Sequence, residues 1–238
     1  MSTYSGTGAL LRLAWRRDRV LLPVGAAAIA GIAVSSAKAT LVLYPTAESL
    51  GGAIGQIFAS PAAVALYGPV GNPASVDSIA VAKMTMMGAV FLALFGYAVV
   101  RRHTRSEEEA GRLELLGSAV VGRRAPLTAA VILATLAVLV TCLLTALGHI
   151  GLGMPSSGSW AFAAGWAGSA LAFVGITAVA AQLAATSRSC AGLAGGAIGA
   201  AFLLRSIGDS RPGLGWLSWV SPLGWSTESA AYGANRSW

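Results

Sequence analysis

The sequence predicts an all-α polytopic membrane protein, a single transmembrane domain over residues 1–238 with five to six membrane-spanning helices. Hydrophobic residues make up 55% of the chain and charged residues only 11%, whereas a soluble domain carries about 25% charged residues. The mean hydropathy is +0.70. The charged residues also cluster between long apolar runs, most densely in residues 101–124. These three observations are typical of a chain that crosses a membrane several times.

The first predicted element is an amphipathic helix over residues 10–19, where leucines and Trp15 lie among four arginines. The apolar residues of this segment cluster on one side of a helix. We therefore expect it to lie at the inner membrane surface, with Trp15 at the depth of the lipid headgroups. A solvated basic tail is the alternative interpretation.

Candidate spans follow at about residues 21–43, 84–100, 127–147, 160–185 and 190–204. The first four are about long enough to cross the hydrocarbon core as helices, and the fifth is shorter. With a cytoplasmic N-terminus, eleven of the 16 basic residues fall on the cytoplasmic side. The positive-inside rule therefore favours this orientation.

The first span has a second interpretation as a secretory signal, because Ala37-Lys-Ala39 after an apolar run resembles a cleavage site. The apolar run resumes through Leu43 and four more spans follow, which favours a retained helix. The connection 44–83 contains four prolines and should break into short helices on the outer face. Ser75 and Asp77 offer N-cap groups for a helix that begins outside and enters the second span.

Several classes of site are disfavoured. The only lysines, Lys38 and Lys83, lie in no phosphate-binding loop, so we expect no ATP or other cofactor in this chain. The net charge of +7 makes no aromatic-interleaved patch and predicts no nucleic-acid partner. No proposed span contains an acidic residue, which argues against an ion-coupled carrier.

The histidines and the glycine-rich segment receive structural interpretations. His103 and Glu107 are four residues apart and suggest a charged surface pair, and His149 is expected to be solvated at the outer interface. Two overlapping G-x-x-x-G pairs in the fifth span predict close helix packing rather than phosphate binding. These pairs are formed by Gly192, Gly195, Gly196 and Gly199.

The central cytoplasmic loop is the strongest functional candidate. A helix over residues 101–116 would pair Arg105 with Glu109 and Glu108 with Arg112 at i,i+4. Pro126 would then lie in the first turn of the next span. Such a helix, joined rigidly to two spans, could transmit the movement of a partner to the membrane. A solvated loop whose arginines only set the orientation is the equal alternative.

Several segments of the chain resemble the membrane subunit of actinobacterial polyketide-antibiotic ABC exporters of the tetronasin type. The resemblance covers nearly the whole chain and is most specific in the central loop. The matching segments are RHTRSEEEAGRLEL at residues 102–115, VGRRAPL at 121–127, ALYGP at 65–69, GAAFLLR at 199–205 and LSWVSPLGW at 217–225.

This resemblance implies a type-2 ABC exporter permease that moves lipophilic small molecules, polyketide antibiotics or drugs, across the plasma membrane. A cytoplasmic coupling helix between spans two and three would dock on a separate ATP-binding subunit, present in two copies and holding ATP and magnesium. The coupling residues carried over are Arg102, His103, Arg105, Glu107, Glu108, Glu109, Arg112 and Glu114.

The resemblance also implies that the segment after the fifth span lies on the outer side, with residues 216–226 re-entering the membrane or lying at its interface. Permeases of this type are about twice as long, so the chain is expected to be an N-terminal half that needs a second permease half. Two alternatives remain: a non-transporting membrane assembly subunit and, less favoured, an intramembrane enzyme without a visible catalytic constellation.

Overall fold

A computed structural model describes residues 3–46, 48, 50, 57, 60–111, 121–211 and 213–233. All regular secondary structure within these residues is helical. We number the helices in chain order as α1 (Thr7–Asp18), α2 (Leu21–Leu43), α3 (Pro61–Tyr67), α4 (Val76–Arg102), α5 (Arg105–Glu109), α6 (Ala125–Gly151), α7 (Ser156–Leu183), α8 (Ser187–Ser210), α9 (Trp216–Val220) and α10 (Gly224–Glu228).

Five of these helices, α2, α4, α6, α7 and α8, are long and apolar enough to cross a membrane. They contain between 23 and 28 residues, or roughly 35 to 42 Å at 1.5 Å per residue. The predicted fold class, an all-α polytopic membrane protein, is confirmed.

Four of the spanning helices extend beyond the segments expected from hydropathy, and α4 and α8 extend the furthest. Helix α4 begins at Val76, eight residues before the predicted span, and α8 continues to Ser210. Each of these two extensions carries one acidic residue at a helix end, and both residues lie outside the apolar segments that we predicted as spans. Asp77 lies in the first turn of α4 and Asp209 in the last turn of α8. Hydropathy underestimates such helix ends because polar side chains can be satisfied there by water or by neighbouring groups.

Local chemistry explains where several helices begin. The Ser75 hydroxyl accepts a hydrogen bond from the Ser78 backbone N–H, so the predicted N-cap of α4 is confirmed. Pro126 occupies the first turn of α6, as predicted. At α8, Thr186 and Ser189 bond reciprocally to each other's backbone N–H groups and form a capping box.

Small residues let the long helices approach closely. A Cβ atom added to Gly88 of α4 would lie 1.9 Å from the ring of Trp166 on α7. The Trp166 side chain is fully buried, and its indole N–H donates to the Thr85 carbonyl at 3.0 Å. Gly148 of α6 makes a similar approach to Val34 of α2. These contacts form the packing of small residues against large ones that holds membrane helices together.

The two ends of the helix bundle are assembled from different segments. At one end, α1 lies beside the residues that precede α6, and the Gly122 N–H donates to the Ser5 carbonyl at 2.8 Å. At the other end, the buried Arg205 of α8 donates to the Ala65 carbonyl of α3. The arginine-rich N-terminal segment and central loop thus share one end, as a positive-inside arrangement requires.

The chain after α8 turns back into the helix bundle. The Ser169 hydroxyl of α7 donates to the Pro222 carbonyl at 2.7 Å, and the Ser221 hydroxyl donates to the Ala201 carbonyl at 2.7 Å. Ser169 lies about 20 Å along α7 from Ser156, which is close to the middle of that helix. Gly165 of α7 faces Ser226 and Ser229 of the returning segment. Serine hydroxyls thus tie the returning segment to α7 and α8.

Candidate coupling site

A buried carboxylate lies where the N-terminal helix meets the central loop. Asp18, the last residue of α1, is 1% exposed. Its Oδ2 lies 2.8 Å from His103 Nε2, and the Arg102 Nε–H donates to the same oxygen at 2.9 Å. An acidic side chain at a helix C-terminus is unfavourable to the helix dipole. The contacts with His103 and Arg102 offset this unfavourable interaction with the helix dipole.

This contact corrects the expectation for His103. The predicted surface pair between His103 and Glu107 was wrong, because His103 is buried at 9% exposure and contacts Asp18. Glu107 forms its ion pair with Arg17 of α1 instead. Sequence reasoning did not select Asp18 as a functional residue. The available signal was that Asp18 is the only acidic residue among the first 47 and has arginines on both sides.

The central loop is not one continuous helix over the residues that the structure describes. Helix α4 ends at Arg102, and the short helix α5 begins at Arg105. Between them, the buried Thr104 hydroxyl donates to the Val100 carbonyl at 2.7 Å. The predicted helix over residues 101–116 is therefore interrupted at residues 103 and 104, within its first turn. Arg112 and Glu114, which we also predicted as coupling residues, lie outside the described residues.

The ion pairs within α5 also differ from the predicted spacing. Arg105 pairs with Glu108 at i,i+3 rather than with Glu109 at i,i+4, and it donates to the Ala181 carbonyl near the end of α7. The Glu109 carboxylate accepts from the Ser187 N–H at 2.6 Å, at the first residue of α8. A carboxylate at that position also interacts favourably with the helix dipole.

The predicted coupling residues therefore separate into an anchoring set and an exposed set. The anchoring set, Arg102, His103, Arg105 and Glu107, contacts α1 and α7. The exposed set consists of Glu108 and Glu109, of which Glu109 also contacts α8. Together with the neighbouring exposed Ala110, these residues form a surface that we call the loop tip. A second protein could touch the loop tip, and the anchoring set would convey its displacement to the helix bundle.

At the opposite end, a second polar cluster surrounds Tyr232. The Tyr232 hydroxyl donates to the Ser159 Oγ at 2.9 Å and lies 3.0 Å from His149 Nδ1. His149 is fully buried, so its predicted solvation at the outer interface was wrong. The segment after α8 covers it, and this segment is also held by Ser78, whose hydroxyl donates to the Tyr232 carbonyl at 3.0 Å. Burial raises the pKa of the Tyr232 phenol to about 12.

An ion pair at the same end joins the outer helices. Arg205 and Asp209 are both buried, and the guanidinium donates to the carboxylate at 2.9 Å. Arg205 also donates to the carbonyls of Val64 and Ala65 in α3, and Ser218 donates to Asp209. The pair therefore ties α3, α8 and the start of the returning segment together.

The glycine-rich face of α8 has no neighbour within the described chain. A Cβ atom placed on any of its four glycines, Gly192, Gly195, Gly196 and Gly199, would meet no atom within 4 Å other than local backbone. None of the described helices of this chain fills that surface. The predicted helix contact at these glycines thus stays a prediction. Its partner would be another chain or a segment outside the described residues.

Comparison with known proteins assigns the family. Residues 9–233 match the family model described as "Multidrug efflux system permease Rv1217c, C-terminal domain". The chain is 41% identical over 241 residues to the multidrug efflux system permease protein Rv1217c of Mycobacterium tuberculosis (strain ATCC 25618 / H37Rv). That alignment covers 100% of this chain and 43% of the relative, so the chain spans less than half of the relative's length.

The family model describes a C-terminal domain, so the match lends no support to our placement of the chain as an N-terminal half. That placement stays a prediction. The five membrane-length helices and this relationship together show a multi-pass protein of the plasma membrane. The chain belongs to the permease family defined by the Rv1217c C-terminal domain.

Proposed function

We propose that this chain is the transmembrane permease of an ABC exporter that moves lipophilic small molecules, polyketide antibiotics or drugs, out of the cell. ATP hydrolysis in a separate subunit would drive the transport. The name of the relative, a multidrug efflux system permease, supports the transport class. The resemblance of residues 102–115 and 121–127 to tetronasin-type exporters supports the narrower substrate class.

The observation that carries this proposal is the attachment of the central loop to three helices besides α4. Asp18 and Arg17 of α1 hold Arg102, His103 and Glu107. The contacts of Arg105 and Glu109 reach the end of α7 and the start of α8. A loop that served only to orient the chain would need positive charge but no buried contacts. A loop that transmits movement needs such anchors.

The proposed partners are two copies of an ATP-binding subunit, which would hold ATP and magnesium, and a second permease half. The ATP-binding subunit would contact the loop tip of Glu108, Glu109 and Ala110. The second half would pack on the glycine face of α8, where Leu193, Leu203 and Ile207 are also exposed. In this proposal the chain lies on the N-terminal side of the second half.

The test is co-purification of the ATP-binding subunit after expression with this chain and the second half. Ala110→Arg places a large cation on the loop tip, where the alanine is exposed. Ala9→Arg is the matched control, because Ala9 is also exposed and lies on α1 at the same end of the bundle. We expect Ala110→Arg to lower both the amount of bound subunit and the drug-stimulated ATPase rate at least tenfold, and Ala9→Arg to change neither.

Unchanged binding and turnover in the Ala110→Arg variant would remove the loop tip from the docking site. An ATP-binding subunit that fails to associate with the unmodified chain and its second half would favour the alternative, a non-transporting assembly subunit. Both variants should give the same thermal unfolding midpoint, which separates a docking defect from a folding defect.

A further inference from the structure

An open apolar groove runs along the outside of the bundle beside α1. Its volume is about 120 Å³, and it lies between α1, α2 and α6. Apolar residues line it, among them Trp15, Pro23, Ala26, Leu133, Leu136 and Val140. Leu133, Leu136 and Val140 are spaced i, i+3 and i+7 and so form one stripe along about 10 Å of α6. Trp15 is 50%, Leu136 50% and Val140 47% exposed.

Three arginines lie close in sequence to Trp15, the α1 residue that lines this groove: Arg12 and Arg16 on α1, and Arg19 directly after that helix. Arg12 and Arg19 are three residues before and four residues after Trp15, so each neighbours the indole on the helix surface. Arg16 follows Trp15 directly, and all three arginines are exposed. None of them forms an ion pair with another part of the chain that the structure describes.

The local acidic residues do not neutralise these arginines. Asp18, the only acidic residue of α1, is buried against His103 and Arg102. Glu107 of the central loop pairs with Arg17. Among the residues that the structure describes, no acidic side chain forms an ion pair with these three arginines beside the apolar groove.

A ligand that complements this surface has an anionic head and a hydrocarbon tail. Arginine binds phosphate oxygens through charge-assisted hydrogen bonds, and an acyl chain matches the stripe along α6. A zwitterionic lipid would also bring its ammonium group to the same three arginines. We propose that the groove binds an anionic phospholipid, with the phosphate on Arg12, Arg16 and Arg19 and one acyl chain along α6. The site goes beyond the proposed transport function and does not depend on it.

Bound lipid at this position would hold α1 at the membrane surface. Because Asp18 ends the same helix, the lipid would also keep the carboxylate beside His103. The phospholipid would thereby act as a structural ligand of α1, the helix whose last residue, Asp18, contacts His103.

The test uses the fluorescence of Trp15 in the full chain, reconstituted in a bilayer of equal phosphatidylglycerol and phosphatidylcholine. Bromine, a short-range quencher, is placed on the acyl chains of one lipid or of the other, with the overall composition unchanged. The signal of Trp15 is isolated by subtracting the signal of Trp15→Phe. The matched control is Trp160, 48% exposed near the start of α7 at the opposite end, isolated in the same way with Trp160→Phe.

We expect brominated phosphatidylglycerol to quench Trp15 at least threefold more than brominated phosphatidylcholine, and the two to quench Trp160 equally. The triple variant Arg12→Gln, Arg16→Gln, Arg19→Gln should abolish the preference at Trp15. Equal quenching of Trp15 by both lipids would overturn the proposal. A preference that survives in the triple variant, or one that Trp160 shares, would overturn it as well.

A second measurement needs no tryptophan substitution. The phospholipids that remain with the purified chain are counted by mass spectrometry. We expect the triple variant to lose about one phosphatidylglycerol per chain. Arg188→Gln, which alters an exposed arginine near the start of α8, should lose none. Equal lipid content in the triple variant and the unmodified chain contradicts the proposal.

Discussion

The contact between Gly88 and Trp166 predicts a large effect from adding one methyl group. Gly88→Ala places a Cβ atom 1.9 Å from the Trp166 ring, whereas ordinary contacts begin at 3.4 Å. The ring must therefore move by about 1.5 Å, the difference between these two distances. It is fully buried and bonded to the Thr85 carbonyl, so it cannot move without disturbing its neighbours.

The expected cost follows from three terms. Overpacking a buried site costs about 1–3 kcal/mol, and the lost indole hydrogen bond costs about 1 kcal/mol. Replacing glycine by alanine inside a helix returns roughly 0.5–1 kcal/mol. Gly88→Ala should therefore destabilise the chain by about 1–3.5 kcal/mol, measured by thermal or denaturant unfolding in lipid nanodiscs.

Gly192→Ala is the matched control, because the same methyl group meets nothing within 4 Å in α8. This variant should be as stable as the unmodified chain or slightly more stable. Equal stability of the Gly88→Ala variant and the unmodified chain would refute the packing argument. Equal destabilisation by both substitutions would show that glycine is needed for a reason other than the close approach of Trp166.

Three further outcomes are expected. Asp18→Asn should destabilise the chain by about 1–3 kcal/mol, because it removes the negative charge that Arg102 and His103 face and leaves only one oxygen acceptor between them. Thermal unfolding tests this, and an unchanged midpoint would contradict it. Burial raises the pKa of Tyr232 from 10.0 to about 12, so its contribution to stability is complete below pH 10 and is lost as the pH rises through 12. Unfolding between pH 9 and 12 should therefore depend less on pH in Tyr232→Phe than in the unmodified chain, and identical pH profiles would contradict this. Gly192→Leu should keep the unfolding midpoint of the chain but lower co-purification of the second half at least fivefold, and undiminished co-purification would mean that this half packs elsewhere.

Features set by neighbouring residues could be predicted from the sequence. Apolar length identified the five long helices, and Ser75 and Pro126 marked two helix starts because caps and prolines act within one turn. The Asp18–His103 contact joins residues 85 positions apart. Spacing rules within one helix carry no information about a contact between residues so far apart in the chain. The i,i+4 expectation for His103 and Glu107 failed because α1 supplies closer partners for both.

The outer end and the glycine face both depend on segments that local sequence patterns do not identify. His149 ends a span, where solvation is the ordinary expectation, but the returning segment covers it with Tyr232. Hydropathy cannot predict that a later segment folds back over a helix end. The small residues around Gly192 indicate only that a helix can approach closely. They do not identify the helix that does so.

The link between Asp18 and His103 has a mechanical consequence. Only Arg19 and Val20 separate α1 from α2, so a displacement of the loop reaches α2 through Asp18 and reaches α4 through the backbone. A push applied to one helix at a single point would tilt that helix. The same push shared between two adjacent helices would act on both of them at once, and it would favour a common displacement over the tilting of either helix alone. In the proposed coupling, the carboxylate of Asp18 would therefore move α2 together with α4.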